Sequence, residues 1–287
     1  MYVIMSKTTL LQKRGLNMPI LDCYMSSCHT LYNDNWIECL DWAKNAGFSG
    51  VEFFQGEAGV PIEDLPVERC VHIAEHAKKL GLAPVAHPWV EWSQLSIDEL
   101  ITAYKSLILR CAALGVTYIN MHMNFISDRK QGMTRLFKAT DAILPLLHEN
   151  GIVLLYENVP EYGVRDLGSE AGDFAALFSC YSADVPVKMN IDTGHAHIMH
   201  TLQPIAEDFG DRWAYTHIND NNQLKDIHLA PGDGTLDFAL VANLAKQAGY
   251  TGPLLMEYNH SGLADGMAEL NRTYGAEGYT LDRITVQ

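Results

Sequence analysis

The chain has 287 residues, 48% of them hydrophobic, and a formal net charge of −15 from 20 Lys and Arg against 35 Asp and Glu. That length and apolar content allow one large barrel or two medium domains, and no run approaches the roughly 20 apolar residues of a membrane span. The acidic balance, with no basic stripe, argues against a grip on a nucleic-acid backbone and favours a sugar or other small neutral substrate.

Residues 1–17 carry their basic side chains after a short apolar patch, the reverse of a signal peptide, and read as a lead-in. From Met18 onward strand-like and helix-like runs alternate. The first strand is PILDCYMSS (19–27), followed by the helical NWIECLDWAKNAG with Asp34 as expected N-cap and Gly47 as C-terminal stop. VEFF (51–54), the helix VERCVHIAEHAKKLG and the strand APVAHPW come next. A Ser96-x-x-Glu99 capping box opens a helix that closes at Gly115. Five strands remain, TYINMHMN, IVLLYENV, VPVKMNID, RWAYTHIN and PLLMEYN, with helices near 130–150, 172–182, 201–209 and 237–248. Eight strands, mostly followed by helices and lacking a GxGxxG turn, predict an α/β fold: one closed (β/α)8 TIM barrel over residues 18–287. The six cysteines form no CxxC pair, and most fall in apolar patterns that fit buried, reduced thiols in a cytoplasmic protein.

Metal-type side chains end these strands: His87, His122, Glu157, Asp192, His217 and Glu257. The first four stand 35 residues apart, and the last two intervals are 25 and 40. A β-α unit takes roughly 30 residues or more, so this is the beat of a barrel whose strand C-termini converge on one face. Glu52 keeps the same beat but lies early in its strand, and carries little weight for that reason. Glu157, Asp192, His217 and Glu257 make a set of three carboxylates and one imidazole. Burying those carboxylates together is costly without a cation, and hard oxygen ligands with one histidine suit Mn²⁺, Mg²⁺ or Co²⁺ and tolerate Zn²⁺.

His195, three residues after Asp192 on the turn leaving that strand, is a second metal ligand or a donor to a substrate hydroxyl. His197 and His200 lie farther on and read as bystanders. Asp226 and His228 sit two apart in the long loop 217–234, able to close on one ion, with Gly232 and Gly234 turning the loop back over the mouth. Trp89 and Trp92 after His87 offer an apolar wall beside a sugar ring. Strand alternation places Lys188, Asn190 and Asn120 inside the barrel below the site, where Lys188 needs a partner that the carboxylates could supply.

YEN at 156–158, IDTGH at 191–195, HINDN at 217–221 and LMEYN at 255–259 resemble the signatures of the xylose isomerase-like barrel superfamily. The similarity covers nearly the whole chain, and the D-tagatose 3-epimerase and hydroxypyruvate isomerase branches are the natural comparison. It implies Glu157, Asp192, His217 and Glu257 as ligands of one Mn²⁺-like ion. Glu157 and Glu257 would also act as acid and base on opposite faces of a sugar through a metal-stabilised enediolate, with His195, and with His87, Trp89 and His122 around it, against the substrate. Relatives in these branches often pair or form tetramers. One departure stands out: such epimerases often carry a substrate-binding Arg where this chain has Gln223. A different branch, endonuclease IV, resembles the wider set, since His87, His122, Glu157, Asp192, His195, His217, Asp226, His228 and Glu257 match its three-metal pattern. That match implies phosphoester hydrolysis. Dehydration of a cyclitol or keto-sugar is a third implied chemistry.

Overall fold

A computed structural model of the chain describes residues 19–89, 94–123, 128–161 and 166–285. The lead-in 1–17 and Trp92 lie outside the described residues. Eight parallel strands form a closed barrel: β1 (Cys23–Ser26), β2 (Gly50–Phe54), β3 (Ala83–His87), β4 (Tyr118–His122), β5 (Val153–Glu157), β6 (Val187–Asp192), β7 (Trp213–Ile218) and β8 (Leu254–Met256). Each pairs with its sequence neighbours, and β8 closes on β1 through Leu254–Cys23 and Met256–Met25. The connecting helices are α1 (Trp36–Ala46), α2 (Val67–Leu80), α3 (Ile97–Leu114), α4 (Arg129–Asn150), α5 (Ala171–Cys180), α6 (Thr193–Met199), α7 (Leu202–Phe209), α8 (Phe238–Ala248) and α9 (Leu263–Ala276). No described helix is long and apolar enough to cross a membrane.

Two cores follow from strand alternation. Outward-facing residues such as Phe53, Ile119 and Ile191 meet the helices, where Trp36 of α1 stacks on Phe53 with ring centroids 4.2 Å apart. Inside the barrel Tyr24, Val85, Leu155, Tyr215 and Leu255 form a separate apolar plug. Two residues farther along the same strands come Ser26, His87, Glu157, His217 and Glu257, all buried. The interior therefore changes from apolar to polar within one step of the pleat. That layering puts the reactive groups at the C-terminal mouth, as barrels require.

Three local expectations are corrected. Helix α1 is capped by Asn35, whose side chain accepts from Glu38 N, and Asp34 lies one residue outside. Lys188 does not reach the carboxylates; its ammonium donates to the Ala183 carbonyl at 2.6 Å, at the far end of β6. Its long stem lets it leave the interior at the bottom and find water there. His195 lies on the short helix α6, where a turn was expected, because the Asp192 carboxylate accepts from His195 N at 2.7 Å and caps a helical start. The expected capping box at Ser96 and Glu99 is present.

Candidate metal centre and cavity

Asp192 ends β6 fully buried, held by two donors: His195 N at 2.7 Å and Asn219 Nδ2 at 2.8 Å. His217 lies one residue before the end of β7, its backbone N–H donating to Asn190 Oδ1 at 3.1 Å. Its Nδ1 lies 2.8 Å from Glu257 Oε2, 3.6 Å from Glu157 Oε1 and 3.7 Å from Asp192 Oδ2. Asn120 Nδ2 donates to Glu157 Oε2. Ligand atoms of Glu157, Asp192, His217 and Glu257 all lie within 4.8 Å of one another, and all four residues are buried. Glu257 Oε2 and His217 Nδ1 are buried without a hydrogen-bond partner despite their close approach. An imidazole nitrogen facing a carboxylate oxygen, with two further carboxylates beside them, fits a cation held among these groups. The donor set and these two atoms suit a divalent ion of the Mn²⁺ type.

Without an ion the cluster draws positive charge onto His217 instead. Burial alone would lift Glu157 and Glu257, but the His217 charge beside them holds both well below the usual carboxylate range. Burial would lower His217, yet Glu257, Glu52 and Glu157 hold it well above the ordinary imidazole value. Asp192 goes the other way: burial, reinforced by Glu257 and Glu157 and only partly offset by His195, pushes it up to about 8. Its folded pKa is thus above its unfolded one. The stability it contributes is complete below about pH 4 and is lost as pH rises through about 8. Metal-free protein is accordingly expected to lose thermal stability over that window, and Asp192→Asn to flatten the loss. A chelated sample whose melting profile is the same for wild type and variant would contradict this.

Above the cluster lies a cavity of about 180 Å³. Glu157 and Glu257 reach its wall, whereas Asp192 and His217 do not line it. His87 and His122 form one side, with ring centroids 5.3 Å apart, and Nε2 atoms 3.7 and 3.8 Å from the Glu157 carboxylate. Burial pushes His122 down to about 3, so it stays neutral. Trp89 stands at the rim, 41% exposed, edge-on to His122 at 4.9 Å. Opposite, His195 Nε2 is 3.2 Å from Asp226 Oδ2, and Asp226 Oδ1 is 3.3 Å from His228 Nε2. His195 Nδ1 faces the Asn158 carbonyl at 2.9 Å. His228 is drawn up to about 9: burial opposes its charge, but Asp226 and Glu257 prevail. A larger groove of about 710 Å³, lined by Asp22, Ser49, Glu75 and Lys78 among others, holds none of these groups.

The structure thus brings every strand-end residue singled out in the sequence to one mouth. His197 instead meets Thr235 Oγ1 at 2.9 Å, and His200 ends α6 with φ 55°. Exposed Gln223 lies outside the cavity lining. Glu52 matters more than its sequence position suggests. It is wholly buried, with Oε2 3.1 Å from His217 Nε2. Its place in the 35-residue series was the available signal; the short β2–α2 hairpin (Gly56–Glu57 with Val60–Pro61) lets the strand extend past it. Cys28, His29 and Phe54 also line the cavity. No spacing flagged them.

Asp220 explains how the loop bearing Asp226 and His228 is held. Its buried carboxylate accepts four backbone N–H groups, from Asn221 (2.8 Å), Leu236 (3.0 Å), Gly232 (3.1 Å) and Gly234 (2.9 Å). A Cβ on Gly234 would sit 2.3 Å from Asp220 Oδ1, so the approach requires glycine. Asp220→Ala leaves these donors unpaired and is expected to cost roughly 3 kcal/mol or more in denaturant unfolding. A loss under about 0.5 kcal/mol, the range of ordinary surface changes, would show that water replaces the carboxylate freely.

The family described as xylose isomerase-like TIM barrel matches residues 40–277. An uncharacterised protein, y4fM, of Sinorhizobium fredii (strain NBRC 101917 / NGR234) is 29% identical over 281 residues, covering 83% of this chain and 88% of that protein. A D-tagatose 3-epimerase-like protein superimposes with a TM-score of 0.73 at 18% identity, covering 90% of this chain and 98% of the other. A D-psicose 3-epimerase, solved in the presence of D-fructose, gives 0.71 at 15% identity, covering 90% and 96%. At those identities the two structures establish a shared fold.

Proposed function

The chain belongs to the xylose isomerase-like TIM barrel family, and from that premise we propose that it is a divalent-metal-dependent isomerase or epimerase of a sugar or sugar derivative. We take 18–287 as its catalytic domain. The observation that carries this is the division of labour at the cluster. Glu157, at the end of β5, and Glu257, just past the end of β8, both reach the cavity, while Asp192 and His217 stay behind them. The likeness to structures named as sugar 3-epimerases supports the same chemistry.

Glu157, Asp192, His217 and Glu257 would hold the ion, which when bound polarises adjacent sugar oxygens and acidifies the intervening C–H bond. The chain's own residues do the rest. Glu157, kept ionised by His217 and the neighbouring imidazoles, removes the carbon-bound proton from one side. Glu257, after taking a proton from water in the cavity, delivers it from the other, inverting the centre, and Glu157 returns its proton to water. His195, fixed between the Asn158 carbonyl and Asp226 and, against burial, held charged by Asp192 and Asp226, places a positive charge beside the oxygen that gains charge. His87, His122 and Trp89 enclose the ring and exclude water. Protein purified without chelator should hold one ion per chain, lost on replacing Glu157 or Glu257, and should convert a ketose to a product of equal mass. Two or three ions per chain with no ketose conversion would sink this reading.

One observation favours a second reading, multi-metal phosphoester hydrolysis of the endonuclease IV type. His87, His122 and Glu157 form another group with ligand atoms within 4.8 Å. It requires phosphoester cleavage that disappears when His87 and His122 are replaced. A keto-sugar dehydratase would instead release water and give a lighter product.

A further inference from the structure

The chain leaves β1 through a short 3-10 turn, Ser27–His29, that is tightly fixed. Ser27 Oγ donates to Asn33 Oδ1 at 2.7 Å and accepts from Phe54 N at 3.0 Å. That turn brings Cys28 and His29 onto the cavity wall beside Glu257. Ligand atoms of the three lie within 4.8 Å of one another. Glu257 is 5% exposed, and its Oε2 has no hydrogen-bond partner. His29 lies against the His228 ring, with centroids 4.8 Å apart, which restrains its plane.

We propose that Cys28, His29 and Glu257 form a second cation site, for thiophilic ions such as Zn²⁺, Cd²⁺ or Cu⁺, that shares Glu257 with the oxygen-rich centre. The donor chemistry separates the two sites. A thiolate and an imidazole select soft ions, whereas three carboxylates and one imidazole suit Mn²⁺ or Mg²⁺. Tetrahedral zinc with sulfur near 2.3 Å and nitrogen or oxygen near 2.0 Å needs ligand atoms roughly 3.5 Å apart. Binding therefore requires the Cys28 and His29 side chains to rotate toward Glu257. Binding releases the Cys28 thiol proton to water as the sulfur–metal bond forms, with no change of oxidation state. An ion held there engages Glu257, so a thiophilic metal in excess inhibits the turnover that manganese supports. That consequence rests on the acid–base reading of Glu257; occupancy of the site does not.

The test is a Co²⁺ titration of the chelated full-length protein, read by near-ultraviolet absorption. Wild type and Cys180→Ser should develop a thiolate-to-cobalt charge-transfer band as the later equivalents bind. The band should be absent in Cys28→Ser that circular dichroism shows to be folded. No band in wild type at saturating cobalt, or one that survives in Cys28→Ser, overturns the proposal. With a turned-over ketose in hand, Cys28→Ser should also raise the zinc concentration needed for inhibition by at least about tenfold, a loss seen even for outer partners of metal sites. Unchanged zinc inhibition would equally overturn it. Should no sugar be turned over at all, the cobalt band still decides the site and the proposed reaction alone fails.

Discussion

Glu257→Gln is expected to lower kcat by about a hundredfold to ten-thousandfold on any ketose the protein converts, the usual contribution of one positioned acid or base. Glutamine keeps the size and one oxygen of the side chain but cannot carry a proton between carbon and water. Glu257 lines the cavity and lies 2.8 Å from His217 Nδ1, so the substitution strikes both proton transfer and metal retention. Metal content measured on the same sample separates the two. A variant that keeps its ion and loses turnover identifies a proton-transfer role; one that regains activity with added manganese identifies a ligand alone. Glu157→Gln should behave alike, since its amide oxygen can still accept from Asn120 Nδ2. Wild-type kcat in either variant would remove these glutamates from the mechanism.

Glu52→Gln is expected to weaken divalent-metal affinity by about tenfold to a hundredfold, while kcat at saturating metal changes much less. A carboxylate can only accept, so its 3.1 Å contact requires a proton on His217 Nε2. That leaves Nδ1, which faces Glu257, Glu157 and Asp192, as the lone pair for an ion. A glutamine in place of Glu52 would be free to turn an N–H toward Nε2 and stabilise the wrong tautomer. Its neutral amide also withdraws the negative charge that makes the imidazole a better ligand. Manganese binding followed by electron paramagnetic resonance reads the free ion directly. Affinity within twofold of wild type would show that Glu52 does not set the His217 tautomer.

Much of this site was legible because barrel geometry turns a sequence period into a place. His87, His122, Glu157 and Asp192 recur every 35 residues, and β-strand parity carries each to the same layer above Val85, Leu155 and their neighbours. The resemblance of YEN, IDTGH, HINDN and LMEYN to family signatures points to the same four ligands. What escaped depends on contacts that no period encodes. Glu52 matters because His217 reaches it across the barrel from β7, a meeting of residues 165 apart. Cys28 and His29 belong to a turn after β1, off the strand-end beat. The Asp220 carboxylate reads as one more acid in an acidic loop until four backbone N–H groups are seen to converge on it. Lys188 was misplaced because parity fixes the direction of its Cα–Cβ bond and not where a flexible four-carbon stem ends.

The most direct measurement is proton exchange at carbon. Manganese-loaded protein is incubated with a panel of ketoses in deuterated water, and the carbon beside the carbonyl is followed by nuclear magnetic resonance. Deuterium entering that position, with the epimer appearing and the exchange abolished in Glu157→Gln and Glu257→Gln, is the predicted result. A fully metal-loaded protein that leaves the carbon-bound proton of every ketose in place would contradict metal-assisted proton transfer at this site.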